Sequence, residues 1–597
     1  MHISQPRLLA LQAQLNTVSV DVYLQPMADE FQGEYTPDCA ARLPWLTDFT
    51  GSAGLGAFWA APHGQRRHTL FVDGRYTLQA TQQVSADIQV CNSGEQPLGA
   101  WLRAQDAALT IGFDPWLVTH DQVVSWAQAD TRHRWVGLAP NPVDAIWAER
   151  PAPPAGEVVL QPEALAGMPA SEKHAALLAQ LGEAGVDGAI FTLPDGINWL
   201  LNIRGNDIPF NPLMLSYLIL KTDGSSKLYT YERTYVQDVQ AYFSGLGVML
   251  APLADLWAGN MPLAPAGARL WIDPSVAAEG FWQLAAGQGI TLVPQADPTL
   301  LPKACKNTTE LAGIRAAHQR DGLALSRFLC WLDQQIEAGK LPDELTVVAT
   351  LERFRSESPD YRQPSFATIA GAGPNGAIVH YRADTQSNRR LKKGELLLLD
   401  SGGQYADGTT DATRTVAIGE PTGPMKEHYT RVLKGHIALV TARFPEGTTG
   451  PQLDVLARQF LWQAGLDYDH GTGHGVGAYL CVHEGPARIA KRGSSVALAP
   501  GMVLSNEPGY YAAGKYGIRI ENLVAVEVVG AAPHGKALLG FDTLTLAPID
   551  TRLVDVAMLS SDERNWLNDY HRRVYKTHAA AMHGLEKEWL ASATRAV

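Results

Sequence analysis

Apolar and polar positions along the 597-residue chain fall into two regimes. In the first half, helical spacing around 5–15 leads into the apolar run VDVYLQP (20–26). Spacing of the same kind around 171–184 leads into VDGAIFTLP (186–194). Each run is followed by a Trp-Leu pair with glycine six positions after the tryptophan, Trp45 to Gly51 and Trp199 to Gly205. This short internal repeat predicts two related α/β domains. The Pro-rich stretch ERPAPPAGE (149–157) separates them, and LPKACKNTTE (301–310) marks a second boundary. Asn307 there is placed to cap a long helix. Beyond it, helices predicted at 309–338, 425–443 and 451–464 alternate with strands and turns, which predicts an α+β domain. The predicted domains are therefore 1–153, 154–305 and 306–597, the last ending in a helical extension over about 550–597 that packs back as an appendage.

Composition narrows the possible functions. The chain is 46% hydrophobic and 18% charged, as in ordinary globular proteins, with a net charge of −13. That charge, with no block of Lys and Arg, argues against nucleic acid or an anionic membrane as partner. No apolar run approaches the roughly 20 residues that span a bilayer; LMLSYLIL (213–220) and ELLLLD (395–400) are strand-sized. The N-terminal residues lack an uninterrupted apolar signal core. Five scattered cysteines argue against a disulfide framework. A cytoplasmic location is expected.

Candidate chemistry sits in two hairpins. In KKGELLLLDSGGQYADGTTDATRTVAIG (392–419), Asp400 closes an apolar strand and Asp411 opens the next. In GMVLSNEPGYYAAGKYGIRIENLVAVEVV (501–529), Glu507 ends one strand and Glu521 is expected inside another. A single acid at a strand end is ordinarily a turn residue. Four acids beside buried backbone are different, because a buried carboxylate is strongly destabilising unless paired or bound to metal. Arg519 and Arg414 are available to neutralise two of them. Two divalent cations bridged by hydroxide would balance all four, and an oxygen-rich set suits Mn(II), with Zn(II) and Co(II) possible.

Nitrogen ligation points to HGTGHGVG (470–477), whose four glycines disfavour a helix and predict a loop. His474 in that loop is the natural nitrogen ligand, and GVGAYLCVHEGP after it is expected to supply another strand. The dinucleotide fingerprint fails here, since its sixth position is Val476 and the flanking elements are in the wrong order. No phosphate loop, nucleophile elbow or HExxH helix occurs, although a triad assembled from distant residues stays open.

Together, GPNGAIVHY, LLLLDSGGQYADGTTDATRT, HGTGHGVGAYLCVHEGP, NEPGYY and GIRIEN, in that order, resemble the metal-dependent pita-bread peptidases. DVYLQPMADEFQGEY, FTGSAG, VDGRY and NWLLNIRGNDIPFNP extend the resemblance to the long, three-domain aminopeptidase P family. It implies two creatinase-like N-terminal α/β domains before a pita-bread catalytic domain. It further implies that Asp400 binds one ion, His474 and Glu507 the other, and Asp411 and Glu521 both, with Mn(II) the usual metal. His380, His470 and His483 would line the substrate pocket. Of these, His483 would bond the carbonyl oxygen as it gains charge, while His380 and His470 would shape a proline site. Glu507 would shuttle the proton, and Arg519 would orient a ligand carboxylate. The implied substrates are peptides with proline second, cleaved after the first residue, and the implied assembly is a homodimer through the catalytic domain. Cys481 departs from the polar amide common in relatives and leaves substrate fit open. A prolidase-like dipeptidase and a non-catalytic binding module are the alternatives.

Overall fold

The computed structural model describes residues 4–60, 67–493, 495–531 and 535–597. The chain divides into two compact units. One comprises Met1–Gln161 with Met168–Thr299, the other Pro162–Gly167 with Leu300–Val597.

The first unit holds two six-stranded sheets. The first contains β1 (Val22–Pro26), β2 (Leu55–Trp59), β3 (His68–Val72), β4 (Ile88–Asn92), β5 (Thr110–Phe113) and β6 (Arg134–Gly137), in the order β4-β3-β2-β1-β5-β6. The second contains β7 (Gly188–Phe191), β8 (Ser216–Lys221), β9 (Ser226–Thr230), β10 (Val248–Pro252), β11 (Arg269–Ile272) and β12 (Thr291–Pro294), in the order β10-β9-β8-β7-β11-β12. The pairings correspond strand for strand. β1 runs antiparallel to β2 and parallel to β5, and β7 likewise to β8 and β11. The repeat seen in the sequence is thus a duplicated topology, and its two tryptophans occupy matching short helices, Arg42–Thr47 and Pro194–Leu200. The two sheets share one compact unit. Trp116 of the first half packs edge-on against Phe281 of the second at 5.2 Å, and His120 stacks on Trp282 at 4.1 Å.

The second unit is α+β. Its long helix Thr308–Glu337 starts at Asn307, whose side chain accepts from the Thr309 and Glu310 amides in a capping box. The helices Gly423–Val440 and Gly450–Trp462 lie near their expected positions. Two sheets flank the candidate acids. A three-stranded sheet joins Ile369–Ala372, Glu395–Ser401 and Ala412–Ile418. A six-stranded sheet includes Gly473–Gly475, Glu484–Ile489, Val503–Asn506 and Asn522–Ala531.

Four expectations need correction. HGTGHGVG is not wholly a loop, because Gly473–Gly475 pairs with strands on both sides and carries His474 at its centre. The strand expected after it is instead loop through 476–483, and the next strand begins at Glu484. Glu521 does not lie inside a strand. Tyr516–Arg519 pairs with Gly509–Ala512, the chain then changes partner, and Asn522–Ala531 pairs with Val503–Asn506. Finally, the C-terminal region is no appendage. Leu567, Tyr570, Val574, Met582 and Leu590 are buried in one cluster with Tyr429, Leu433 and Ile518, so its helices complete the core.

Candidate metal centre

Each acid occupies a place where backbone pairing is ending. Asp400 is the penultimate residue of Glu395–Ser401, and Asp411 immediately precedes Ala412, which pairs with Ser401. Glu507 and Glu521 stand at the two corners where the chain passes between sheets, beside the opposed pair Asn506 and Asn522. The Glu521 amide donates to the Thr413 carbonyl at 3.2 Å, which ties the aspartate sheet to the glutamate corner.

These positions converge. Ligand atoms of Asp400, Asp411 and Glu521 lie within 4.8 Å of one another, as do those of His474, Glu507 and Glu521, and those of Asp411, His474 and His483. The groups overlap, with Asp411, His474 and Glu521 each shared by two. His474 Nε2 is 3.6 Å from Asp411 Oδ2 and 3.6 Å from Glu507 Oε1. Its Nδ1–H donates to the Gly475 carbonyl at 3.0 Å, which leaves Nε2 as the lone-pair nitrogen facing the acids. The flanking glycines serve close packing. A Cβ at Gly473 would meet the Ser505 carbonyl oxygen at 2.0 Å, and one at Gly475 the Glu484 oxygen at 2.6 Å.

The donor set fits divalent cations. Asp400 and Asp411 are 8% and 4% exposed, and Oδ1 of each is buried with no hydrogen-bond partner among the described residues. Such atoms are costly to bury unless a cation faces them. Burial, then Glu521 and Asp400, push Asp411 well above the usual carboxylate range. Glu521 is raised for the same kind of reason, burial first and then Asp400 and Glu507. Burial pushes Glu507 up to about 7, against the pull of Arg519. Bound dications would reverse these shifts, because a local positive charge favours the ionised forms.

Polar neighbours fix the acids. Arg519 donates to Asp400 Oδ2 at 2.6 Å and, through Nε, to the Thr413 hydroxyl at 3.2 Å. Thr413 donates in turn to Glu521 Oε2 at 2.7 Å. Arg519 also bonds the Tyr511 hydroxyl, which donates to His470 Nε2 at 2.8 Å, while His470 Nδ1 lies 3.9 Å from Glu507 Oε2. Arg414 does not neutralise an acid side chain as expected. Its guanidinium bonds backbone carbonyls, including those of Thr413 and Glu521. The T-shaped contact of the His474 and His483 rings, centroids 4.2 Å apart, brings His483 to the cluster. His380 is half-buried beyond the short helix Gly373–Ala377, and its neighbours Ile378 and Tyr381 pack near Tyr511. Tyr511, Thr413 and Ser505, which accepts from the His474 amide at 3.0 Å, are functional neighbours that no spacing in the sequence singles out.

Comparison with known proteins places this arrangement. The metallopeptidase family M24 matches residues 312–527, and the C-terminal region of that peptidase family matches 537–597. Two creatinase/prolidase N-terminal domain families match 7–140 and 149–310. A probable Xaa-Pro aminopeptidase P of Sordaria macrospora is 39% identical over 98% of this chain and 98% of its own. Aminopeptidase P2 of Arabidopsis thaliana is 38% identical over 97% of this chain and 86% of its own. Among solved structures, X-prolyl aminopeptidase from Caenorhabditis elegans, described as a cytosolic enzyme with a di-nuclear active site, superposes with a TM-score of 0.92 at 34% identity over the whole of both chains. The chain belongs to the Xaa-Pro aminopeptidase P family of M24 metallopeptidases, with creatinase-type N-terminal domains.

Proposed function

We propose that this chain is a metal-dependent aminopeptidase that releases the first residue from peptides with proline second. The convergence of Asp400, Asp411, His474, Glu507 and Glu521 in three overlapping groups carries the reading. Those five residues would hold two divalent ions, Asp400 on one, His474 and Glu507 on the other, Asp411 and Glu521 on both. When bound, such a pair supplies a nucleophilic hydroxide near neutral pH and an anchor for the substrate's free amine.

The protein's own groups do the rest. Glu507 directs Oε1 toward His474 and Oε2 toward His470, so one oxygen serves a ligand role while the other can carry a proton toward the leaving proline nitrogen. His483, beside His474, donates to the carbonyl oxygen as charge develops on it. His380 and His470 shape the proline site. Proline lacks the N–H that extended-strand sites use, so recognition by ring shape is the expected solution. Arg519 keeps Asp400 aimed at the metal.

The finer readings belong to the same proposal. Mn(II) is the preferred ion, with Zn(II) or Co(II) as substitutes, since four of the five donor residues are carboxylates. The chain is organised as domains 1–153, 154–305 and 306–597, assembles as a homodimer through the catalytic domain, and works in the cytoplasm. No helix among the described residues is long and apolar enough to cross a membrane. One experiment tests the central claim: chelate the protein, restore Mn(II) stepwise, and compare Arg-Pro-Pro with Xaa-Pro dipeptides. Release of arginine that tracks metal return supports the proposal; cleavage of dipeptides alone would replace it with a dipeptidase.

A further inference from the structure

Behind the metal ligands lies a buried polar layer that the reaction does not touch. Arg414 is 1% exposed, and the hydrogen-bond partners of its guanidinium are uncharged oxygens. Its cation is solvated by acceptors: the Glu521 carbonyl at 2.7 Å, Asn522 Oδ1 at 2.9 Å, the Ala547 carbonyl at 2.9 Å and the Tyr570 hydroxyl at 2.9 Å. Asn522 Nδ2 donates to His436 Nε2 at 3.2 Å. His436 Nδ1–H donates onward to the Asn506 carbonyl at 3.1 Å, and Asn506 Nδ2 returns a bond to the His436 carbonyl at 3.0 Å. Burial, with Arg414 nearby, holds the His436 pKa down to about 3, so the ring stays neutral with one donor and one acceptor.

The ends of this chain of bonds matter. Asn506 precedes Glu507 and Asn522 follows Glu521, and the two asparagines face each other in register. The far end is the C-terminal helix Ser561–His578. There Tyr570 stacks on Trp566 at 5.3 Å, and Trp566 meets the His436 ring edge-on at 5.8 Å. A buried arginine held by uncharged oxygens is expensive, and replacing such polar layers by apolar residues is often neutral or stabilising. Its persistence here needs a reason other than stability.

We propose that Arg414, Asn522, His436 and Tyr570 are positioning residues that fix the separation of Glu507 and Glu521, so that the C-terminal helix sets how tightly the centre holds its ions. This rests on the reading of those glutamates as metal ligands.

The test uses the full-length protein with Tyr570→Phe, His436→Leu and His436→Gln, and with Glu521→Gln as control. Mn(II) affinity and stoichiometry are measured by titration against a chelator, alongside melting of the chelated proteins. Tyr570→Phe and His436→Leu should weaken Mn(II) binding roughly tenfold to hundredfold. His436→Gln, which keeps one donor and one acceptor, should recover most of that loss. Lower melting temperatures with unchanged Mn(II) affinity would overturn the proposal and leave the layer a purely structural core. If Glu521→Gln itself leaves Mn(II) binding intact, the ligand reading fails. If Glu521→Gln abolishes binding of an ion while Tyr570→Phe and both His436 variants bind normally, only the positioning proposal fails.

Discussion

Arg519 holds Asp400 at 2.6 Å, with the two side chains only 2% and 11% exposed. Among the described residues it is the single Lys or Arg in an ion pair with any of the four clustered acids, and it also bonds Thr413 and Tyr511. One cation cannot balance four buried carboxylates, so the pair holds Asp400 in place more than it neutralises the cluster. Arg519→Lys keeps the charge but loses the planar fork that serves Thr413, Tyr511 and Asp400 from three separate nitrogens. We expect it to lower Mn(II) affinity or turnover roughly 10–100-fold. Metal titration beside steady-state kinetics checks this, and wild-type values for both would contradict the assigned role.

Asp411 is shared by two of the three ligand groups and has a buried oxygen without a hydrogen-bond partner among the described residues. An amide there neither balances charge nor bridges two ions well. Asp411→Asn should therefore cost more than the about 100-fold upper range for residues that merely support ligands, together with loss of at least one bound ion. Metal analysis of the purified variant reads the second effect directly.

His483 touches the His474 ring but is itself exposed. Its proposed task is to donate to the developing oxyanion, where loss of one donor typically costs about 10²–10³ in kcat. His483→Ala should show that loss with metal content nearly unchanged. A parallel fall in bound metal would make His483 a ligand or a structural residue.

Stability without metal should depend on pH in a definite direction. Glu507 is raised from the ordinary 4.5 to about 7, and Asp411 and Glu521 are raised as well. Between pH 4.5 and about 7 the folded state thus binds more protons than the unfolded state, and stability falls as pH rises through that window. Divalent ions bind the ionised forms and stabilise the folded state by mass action. The Mn(II)-induced rise in melting temperature should therefore grow from pH 5 to pH 8. A shift that shrinks over this range would contradict the account.

Glu484, next to His483, is buried between Lys303 at 2.7 Å and Lys306, all about 1% exposed at the side chain. Removing the carboxylate leaves two buried ammonium groups without it. Glu484→Ala should destabilise the fold by about 3–5 kcal/mol, seen as a lower urea midpoint. An unchanged midpoint would mean that the lysines find other partners readily.

Much of this was legible in the chain. The Asn307 cap, the repeat around Trp45 and Trp199, and the four acids flanking apolar strands all depend on local spacing and on the cost of burying charge. Tyr511, Thr413 and Ser505 were not legible. A hydroxyl becomes a ligand's partner only when strands distant in sequence are brought side by side, and nothing in its immediate neighbours records that.

By itself the sequence singled out the four acids and His474 as candidate ligands, because residue type and strand-end placement limit what a carboxylate or imidazole can do. It also determined the alternation of elements, since hydrophobic periodicity is local. Tertiary structure alone decided that Glu521 sits at a corner between sheets, and that His474 rides a strand rather than a loop. It also decided that Arg414 faces carbonyls and that the C-terminal helices complete the core. Those outcomes depend on which strand pairs with which and on how closely glycine backbones approach. Both are settled only when distant segments compete for the same hydrogen bonds and the same buried volume.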